Sequence, residues 1–193
     1  MFSTAPIDLE FHALTPERWP NLEQLFGKRG ACGGCWCMIW RLPHAVWEAG
    51  KDEGNRAAFR RLVEAGEEPG ILAFAGDEAV AWCAVAPRED YPALLRSRIL
   101  KPVDDSPVWS ISCLFVKKTY RRMGVTPRLL DAAVAFAQER GATIVEGYPT
   151  ETQGADQAAP FLWTGTMSAF EHAGFCEVAR RSARRPIMRR MVC

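Results

Sequence analysis

Apolar positions change their period along this chain, and the changes mark out its elements. Ile7 to Ala13 alternates weakly and reads as a first strand, while Trp19, Leu22, Leu25 and Phe26 recur at helical spacing. Thr15-Pro16 ahead of that run combines a capping residue type with a proline suited to the first helical position, so a helix is predicted to start there. A polar helix is predicted over 55–65, ending near Gly66. Ile71–Ala75 and Ala79–Ala86 flank Gly76-Asp77-Glu78 in the pattern of a hairpin. The proline-punctuated stretch 87–107 is predicted to hold a short helix over 91–98 within a long connection. Trp109–Val116 is strand-like throughout, and Leu129–Ala137 returns to the helical period. A strand over 142–148, a loop over 149–160, a helix through Phe170, and strands over 175–180 and 186–192 complete the order. This order predicts an α/β (mixed) fold, a twisted sheet of six or seven strands with helices on both faces and ligands at strand ends.

Composition narrows the function classes. With 193 residues the chain is expected to form a single domain over 1–193, and it shows no repeat or linker. A net charge of +1 gives no global attraction to nucleic acid or to an anionic membrane, so neither is an expected partner. No basic-then-apolar leader and no apolar run approaching membrane-spanning length occurs, which predicts a cytoplasmic protein, monomer or homodimer. The seven cysteines are an odd number for a secreted disulfide framework and are expected to be thiols, with Cys83, Cys113 and Cys176 as small core residues. Cys32, Cys35 and Cys37 form C-x-x-C-x-C, and His44 could complete a zinc set. A second ligand pair is missing from the sequence, so no metal is expected. A reactive thiol pair is an open alternative. The six arginines from Arg180 to Arg190 are expected to lie on an exposed terminal hairpin, balanced by acids elsewhere, with RNA contact as the rival reading.

The chemistry concentrates after Val116. An apolar strand empties into Lys117-Lys118-Thr119-Tyr120-Arg121-Arg122-Met123-Gly124-Val125-Thr126-Pro127, and the turn opens into the helical pattern. Backbone N–H groups of a tight turn, backed by the positive end of a helix and by arginines, make an anion cradle. The spacing fits neither a P-loop nor a dinucleotide-binding turn. Thr126-Pro127 predicts a helix capped by Thr126, which would leave the amides of Arg122 to Thr126 as the anion donors.

Arg121-x-x-Gly124-x-Thr126, after a strand ending Leu114-Phe115-Val116 and before a helix and strand in the right order, resembles the Q/R-x-x-G-x-G/A motif of the GNAT N-acetyltransferase superfamily. Phe170-Glu171-His172-Ala173-Gly174-Phe175 is similar to a second element of that family, and the resemblance spans roughly 7–180. It implies acetyl-CoA as acyl donor. The pyrophosphate would lie on Arg121, Arg122, Met123, Gly124, Val125 and Thr126, and pantetheine along Leu114, Phe115 and Val116 between two splayed strands. A backbone N–H near Val116 would polarise the thioester carbonyl. It further implies direct transfer to a primary amine of a small molecule or, less readily, a protein, with Cys35, Trp36 and Trp40 on the acceptor wall.

The family's usual acid and base are missing: Ser110 and Ser112 stand where a glutamate is frequent, and Phe170 where a tyrosine is. Glu146 and Tyr148, two apart on the next strand and so on one side of it, are the replacement candidates as base and acid. Those gaps motivate a rival reading, a non-catalytic module that binds acetyl-CoA or senses thiols or metal.

Overall fold

A computed structural model describes residues 7–152 and 162–192, so most of the loop expected over 149–160 lies outside the described residues. Seven strands form one sheet: β1 (Glu10–Ala13), β2 (Gly70–Ala75), β3 (Glu78–Pro87), β4 (Trp109–Val116), β5 (Ile144–Gly147), β6 (Cys176–Arg180) and β7 (Pro186–Met191). Their spatial order is β1-β2-β3-β4-β5-β7-β6. Neighbours are antiparallel except β4 and β5. A parallel pair needs a crossover, and α5 (Val125–Gln138) provides it. The other helices are α1 (Trp19–Phe26), α2 (His44–Ala49), α3 (Glu53–Glu64), α4 (Pro92–Leu95) and α6 (Met167–His172).

Two apolar layers sandwich the sheet. α5 lays Val125, Leu129, Leu130, Ala133 and Val134 against Ile71, Ala81, Cys83 and Val85 on one face. On the other, Trp19, Leu22 and Phe26 of α1 and Phe59 and Val63 of α3 cover Leu72, Trp82 and Ala84. From Ala79 onward β3 is therefore apolar, with no polar face to alternate. A third cluster, Tyr91, Leu94, Leu100, Tyr148 and Ile187, tucks the long connection after β3 against the sheet.

The departures from the sequence reading have local causes. α2 was not predicted: it spans six residues and buries none of them, so it carries no apolar stripe to detect. The helix expected over 91–98 shrinks to Pro92–Leu95. α5 starts one residue before the expected Thr126 cap, because Gly124 takes a left-handed conformation, φ +73°, and turns the chain directly into the helix. Pro127 thus falls among the first four helical positions, where an N–H would have no intrahelical acceptor.

The arginine-rich hairpin is tied inward. Arg180 pairs with Glu151 and Glu177, Arg181 donates to the carbonyls of Lys101 and Pro102, Arg185 donates to the Thr164 hydroxyl, and Arg190 pairs with Asp131. Among the described residues no helix is long and apolar enough to cross a membrane.

Candidate active site

The site begins with one extra residue in β4. Ala84 pairs with Cys113 and the next residue, Val85, with Ile111, so Ser112 is a bulge without a partner on β3. The bulge reverses which residues face each layer: Ile111 and Leu114 both reach the α5 side, while Cys113 and Phe115 reach the α1 side. It also ends the parallel pairing. β4 and β5 are in register only over Trp109–Ile111 and Val145–Gly147, and beyond that they part.

The parting exposes backbone. Lys117 donates its N–H to Val80 on β3, whereas Leu114 donates in the opposite direction, to the Trp163 carbonyl at 2.6 Å. Amides alternate along a strand, so the Val116 N–H shares the side of Leu114, toward the gap. The Val116 carbonyl accepts from Arg121 Nε at 3.0 Å. A cavity of about 300 Å³ runs along this edge, lined by Leu114, Phe115, Val116, Arg121, Thr126 and, across the gap, Trp163, Gly165 and Ala169. Val125 and Thr126 open α5, where helical geometry leaves N–H groups without intrahelical acceptors. Arg122, at φ +62°, and Gly124 turn the backbone around that helix end. Met123 is 44% exposed. A guanidinium, a helix N-terminus and a strand edge along one trough suit a ligand carrying a pyrophosphate and an amide-bearing arm.

The far wall of the gap is held by small residues. A Cβ added at Gly147 would come within 2.1 Å of the Phe170 ring, and one at Gly165 within 2.8 Å of Leu114. Phe170, fully buried against Phe175 at 4.9 Å, fills the space they leave. Gly147→Ala is expected to cost about 1–3 kcal/mol by overpacking, read as a lower urea midpoint at constant m.

Beyond Phe115 the trough continues into a second cavity of about 260 Å³, bounded by Cys32, Cys35, Cys37, Cys113, Ile39 and Trp47, with Lys51 at its edge. The two cavities share Ala31, Cys32, Leu114, Phe115 and Trp163. Trp36 and Cys37 both have positive φ, +44° and +56°, a strained pair that turns the cysteine loop over the sheet. The turn sends Trp36 into the core, stacked on Trp19 at 6.1 Å. It leaves Cys37 accepting from Trp82 Nε1 at 3.2 Å. Of the expected acceptor wall, Cys35 therefore lines the chamber, Trp36 faces away from it, and Trp40 meets it only through Trp163, 5.9 Å away. Cys113, Trp47 and Trp163 line it unanticipated. Cys113 read as core filler, and only the bulge turns it toward the loop. Burial raises the Cys35 thiol to about 11, with Cys37 adding to the effect. Cys113 is also pushed up, first by the hydrogen bond its thiol donates to Cys37 and then by burial. His44 lies against Trp47 with the rings tilted at 53°, and among the described residues no three His, Cys, Asp or Glu side chains group as metal ligands.

Glu146 and Tyr148 share a side of β5, as the spacing predicted, but that side is the sealed third cluster rather than the trough. Glu146 is fully buried, accepting from Arg88 Nη1 at 2.5 Å on one oxygen and from Arg189 Nε at 2.7 Å on the other. Tyr148 donates to Glu146 at 2.7 Å and lies 2.8 Å from the Ser110 hydroxyl. Burial, then the Glu146 charge, pushes its phenol well above the ordinary range, so it stays protonated. Arg189 continues to Asp104 at 2.6 Å, and Arg88 to the Leu100 carbonyl at 2.5 Å. The pair thus sits inside an ion network that fastens the long connection to β5 and β7. Neither residue lines either cavity.

Known proteins match this arrangement. The family model described as Acetyltransferase (GNAT) family matches residues 36–162. No curated protein matches the chain. Among solved structures, a GNAT-family protein from Desulfovibrio desulfuricans aligns with a TM-score of 0.56 at 14% identity, over 96% of this chain and 100% of that one. The PaiA N-acetyltransferase from Thermoplasma acidophilum, solved with coenzyme A, gives 0.54 at 13%, over 96% and 99%. An acetyltransferase from Thermus thermophilus gives 0.51 at 15%, over 98% and 100%. The splayed strands, the cradle at the start of α5 and the family match over most of the chain agree: the protein belongs to the GNAT family of N-acetyltransferases, enzymes that use acetyl-CoA.

Proposed function

We propose that this enzyme transfers an acetyl group from acetyl-CoA directly to a primary amine of a small molecule held in the cysteine-walled chamber. The observation that carries this is continuity: the cavity along the parted edge of β4 shares Ala31, Cys32, Leu114, Phe115 and Trp163 with an apolar chamber of about 260 Å³, a volume that fits a small molecule. A protein acceptor would instead call for an open channel leading across the surface.

Arg121 and the amides of Val125 and Thr126 would hold the pyrophosphate, joined by the turn of Arg122, Met123 and Gly124. The backbone of Leu114 and Val116 would meet the pantetheine amides, and Phe115 forms the floor between the two cavities. Acetyl-CoA supplies the acyl carbon: the amine nitrogen bonds to it, the C–S bond breaks, and the thiolate leaves with the proton that the amine gives up. The Val116 N–H, aimed into the gap, is placed to donate to the carbonyl oxygen as it gains charge. Glu146 and Tyr148 act beneath the site, holding β5 at the angle that keeps the gap open, and exchange no proton with substrate.

Among the described residues no carboxylate, histidine or tyrosine lines the trough, which also favours the rival reading of a module that binds acetyl-CoA without turning it over. Titrating acetyl-CoA in a thermal-shift experiment, then assaying thiol release over an amine panel, separates the two. Stabilisation of about 2.7 kcal/mol is expected at a hundred times Kd, with CoA released once a fitting amine is present. Stabilisation without release on any amine would favour the module, and no stabilisation at millimolar acetyl-CoA would sink both readings.

A further inference from the structure

The chamber has an unusual inventory for a site that takes amines. Its titratable neighbours are Cys32, Cys35, Cys37, Cys113 and Lys51, and among the described residues no acid lines it. Lys51 lies over the Trp47 ring at 4.8 Å and donates to Glu48 at 2.6 Å, and Glu48 itself is not part of the lining. The other cation along the trough is Arg121, bound to the Val116 carbonyl. Among the described residues, the rest of the chamber lining is glycine, aliphatic, aromatic or sulfur. An ammonium group entering here would lose its hydration and meet no counter-charge, which disfavours the charged form.

From this inventory we infer that the acceptor is a weakly basic amine on a flat apolar body of one or two rings, an arylamine, that enters uncharged. This rests on the N-acetyltransferase reading above and names its substrate class. Size agrees: a cavity of roughly 150 Å³ takes a benzene ring, so about 260 Å³ holds one or two fused rings. Chemistry agrees as well. An alkylamine with a basicity near that of lysine is neutral in only about one molecule in a thousand at pH 7, and it needs a base to recruit the rest. A ring-bound amino group shares its lone pair with the ring and is neutral already. Its nitrogen can attack the thioester carbon directly, and the proton it sheds leaves on the CoA thiol. A described lining that holds no base thus sets a condition on the substrate.

The test on the full chain, with acetyl-CoA, compares aniline with cyclohexylamine, amines of like size and different basicity, and 2-aminonaphthalene with spermidine, which differ in both basicity and shape. The expected kcat/KM for aniline exceeds that for cyclohexylamine about tenfold or more at pH 7. The cyclohexylamine rate should climb about tenfold per pH unit from 7 to 9, while the aniline rate stays level. Equal or faster turnover of cyclohexylamine or spermidine at pH 7 overturns the inference. So does a cyclohexylamine rate that is flat over pH 7–9, because it would reveal a base on the enzyme.

A second readout does not need turnover. With CoA present, 2-aminonaphthalene should saturably quench tryptophan fluorescence, through Trp47 and Trp163, and spermidine should not. If acetyl-CoA stabilises the protein but no amine is acetylated, the transfer reading fails, and quenching alone then decides the chamber's ligand class. No saturable quenching would overturn it. Cys35→Asp, which adds a carboxylate to the lining, should lower the aniline-to-cyclohexylamine ratio about tenfold. Cys32→Asp at the exposed rim serves the same arm if the first variant does not fold. An unchanged ratio in a folded variant counts against the inference.

Discussion

Glu146→Ala is expected to lower stability by about 3–5 kcal/mol. The loss does not measure an attraction that the wild type enjoys, since burying three charges is itself expensive. It arises because truncation strands Arg88 and Arg189, each about 8% exposed, without the carboxylate that both address. Urea unfolding should show a lower midpoint. Glu146→Gln should recover part of the loss, because an amide oxygen can still accept from one arginine. If Glu146 were instead a base in the trough, Glu146→Gln would abolish acetyl transfer at unchanged stability, the opposite pattern.

The outer link of this network makes a separate forecast. Hydrogen bonds from Arg189 hold the Asp104 carboxyl at about 2, below its ordinary 3.8. Because the folded value is the lower one, the associated stability is present above pH 4 and is lost as pH falls from about 4 toward 2. Asp104→Asn should remove that part of the acid limb of a stability–pH curve and leave neutral stability less affected than Glu146→Ala does.

Arg121→Ala should weaken acetyl-CoA binding roughly tenfold or more, since a charge-assisted bond to phosphate is about twice as strong as a neutral one. The side chain is exposed, so the difference between wild type and variant should narrow as salt rises from 50 to 500 mM. Isothermal titration at both salt concentrations would show it. A variant that binds as tightly as wild type at low salt would remove Arg121 from the cradle. Arg121→Lys should restore the salt dependence but only part of the affinity, because a lysine cannot reach the Val116 carbonyl and a phosphate in one plane.

Much of this was legible from residue order alone. The strand–turn–helix around Gly124 and the elements after it were in place from the sequence, because the turn depends on local backbone shape that a short motif specifies. The acceptor half was not readable. Which way Trp36 points depends on two consecutive left-handed residues in a loop, and neither is a glycine or an asparagine that would have signalled the turn. Cys113 faces the chamber only because Ser112 is skipped in the pairing, and nothing in Ser-Ile-Ser-Cys announces a bulge. Glu146 and Tyr148 were placed correctly relative to each other by the strand period. That period cannot say which layer they face when both layers are packed.

The 2.6 Å bond between the Leu114 N–H and the Trp163 carbonyl has a kinetic meaning. The strand edge that would receive pantetheine is already occupied by the protein's own backbone, so the donor must wait for that bond to open. Stopped-flow binding should therefore show an observed rate that levels off at high acetyl-CoA instead of rising without limit. The plateau is the opening rate of the Trp163 segment, and the apparent Kd exceeds the intrinsic one by the reciprocal of the open fraction.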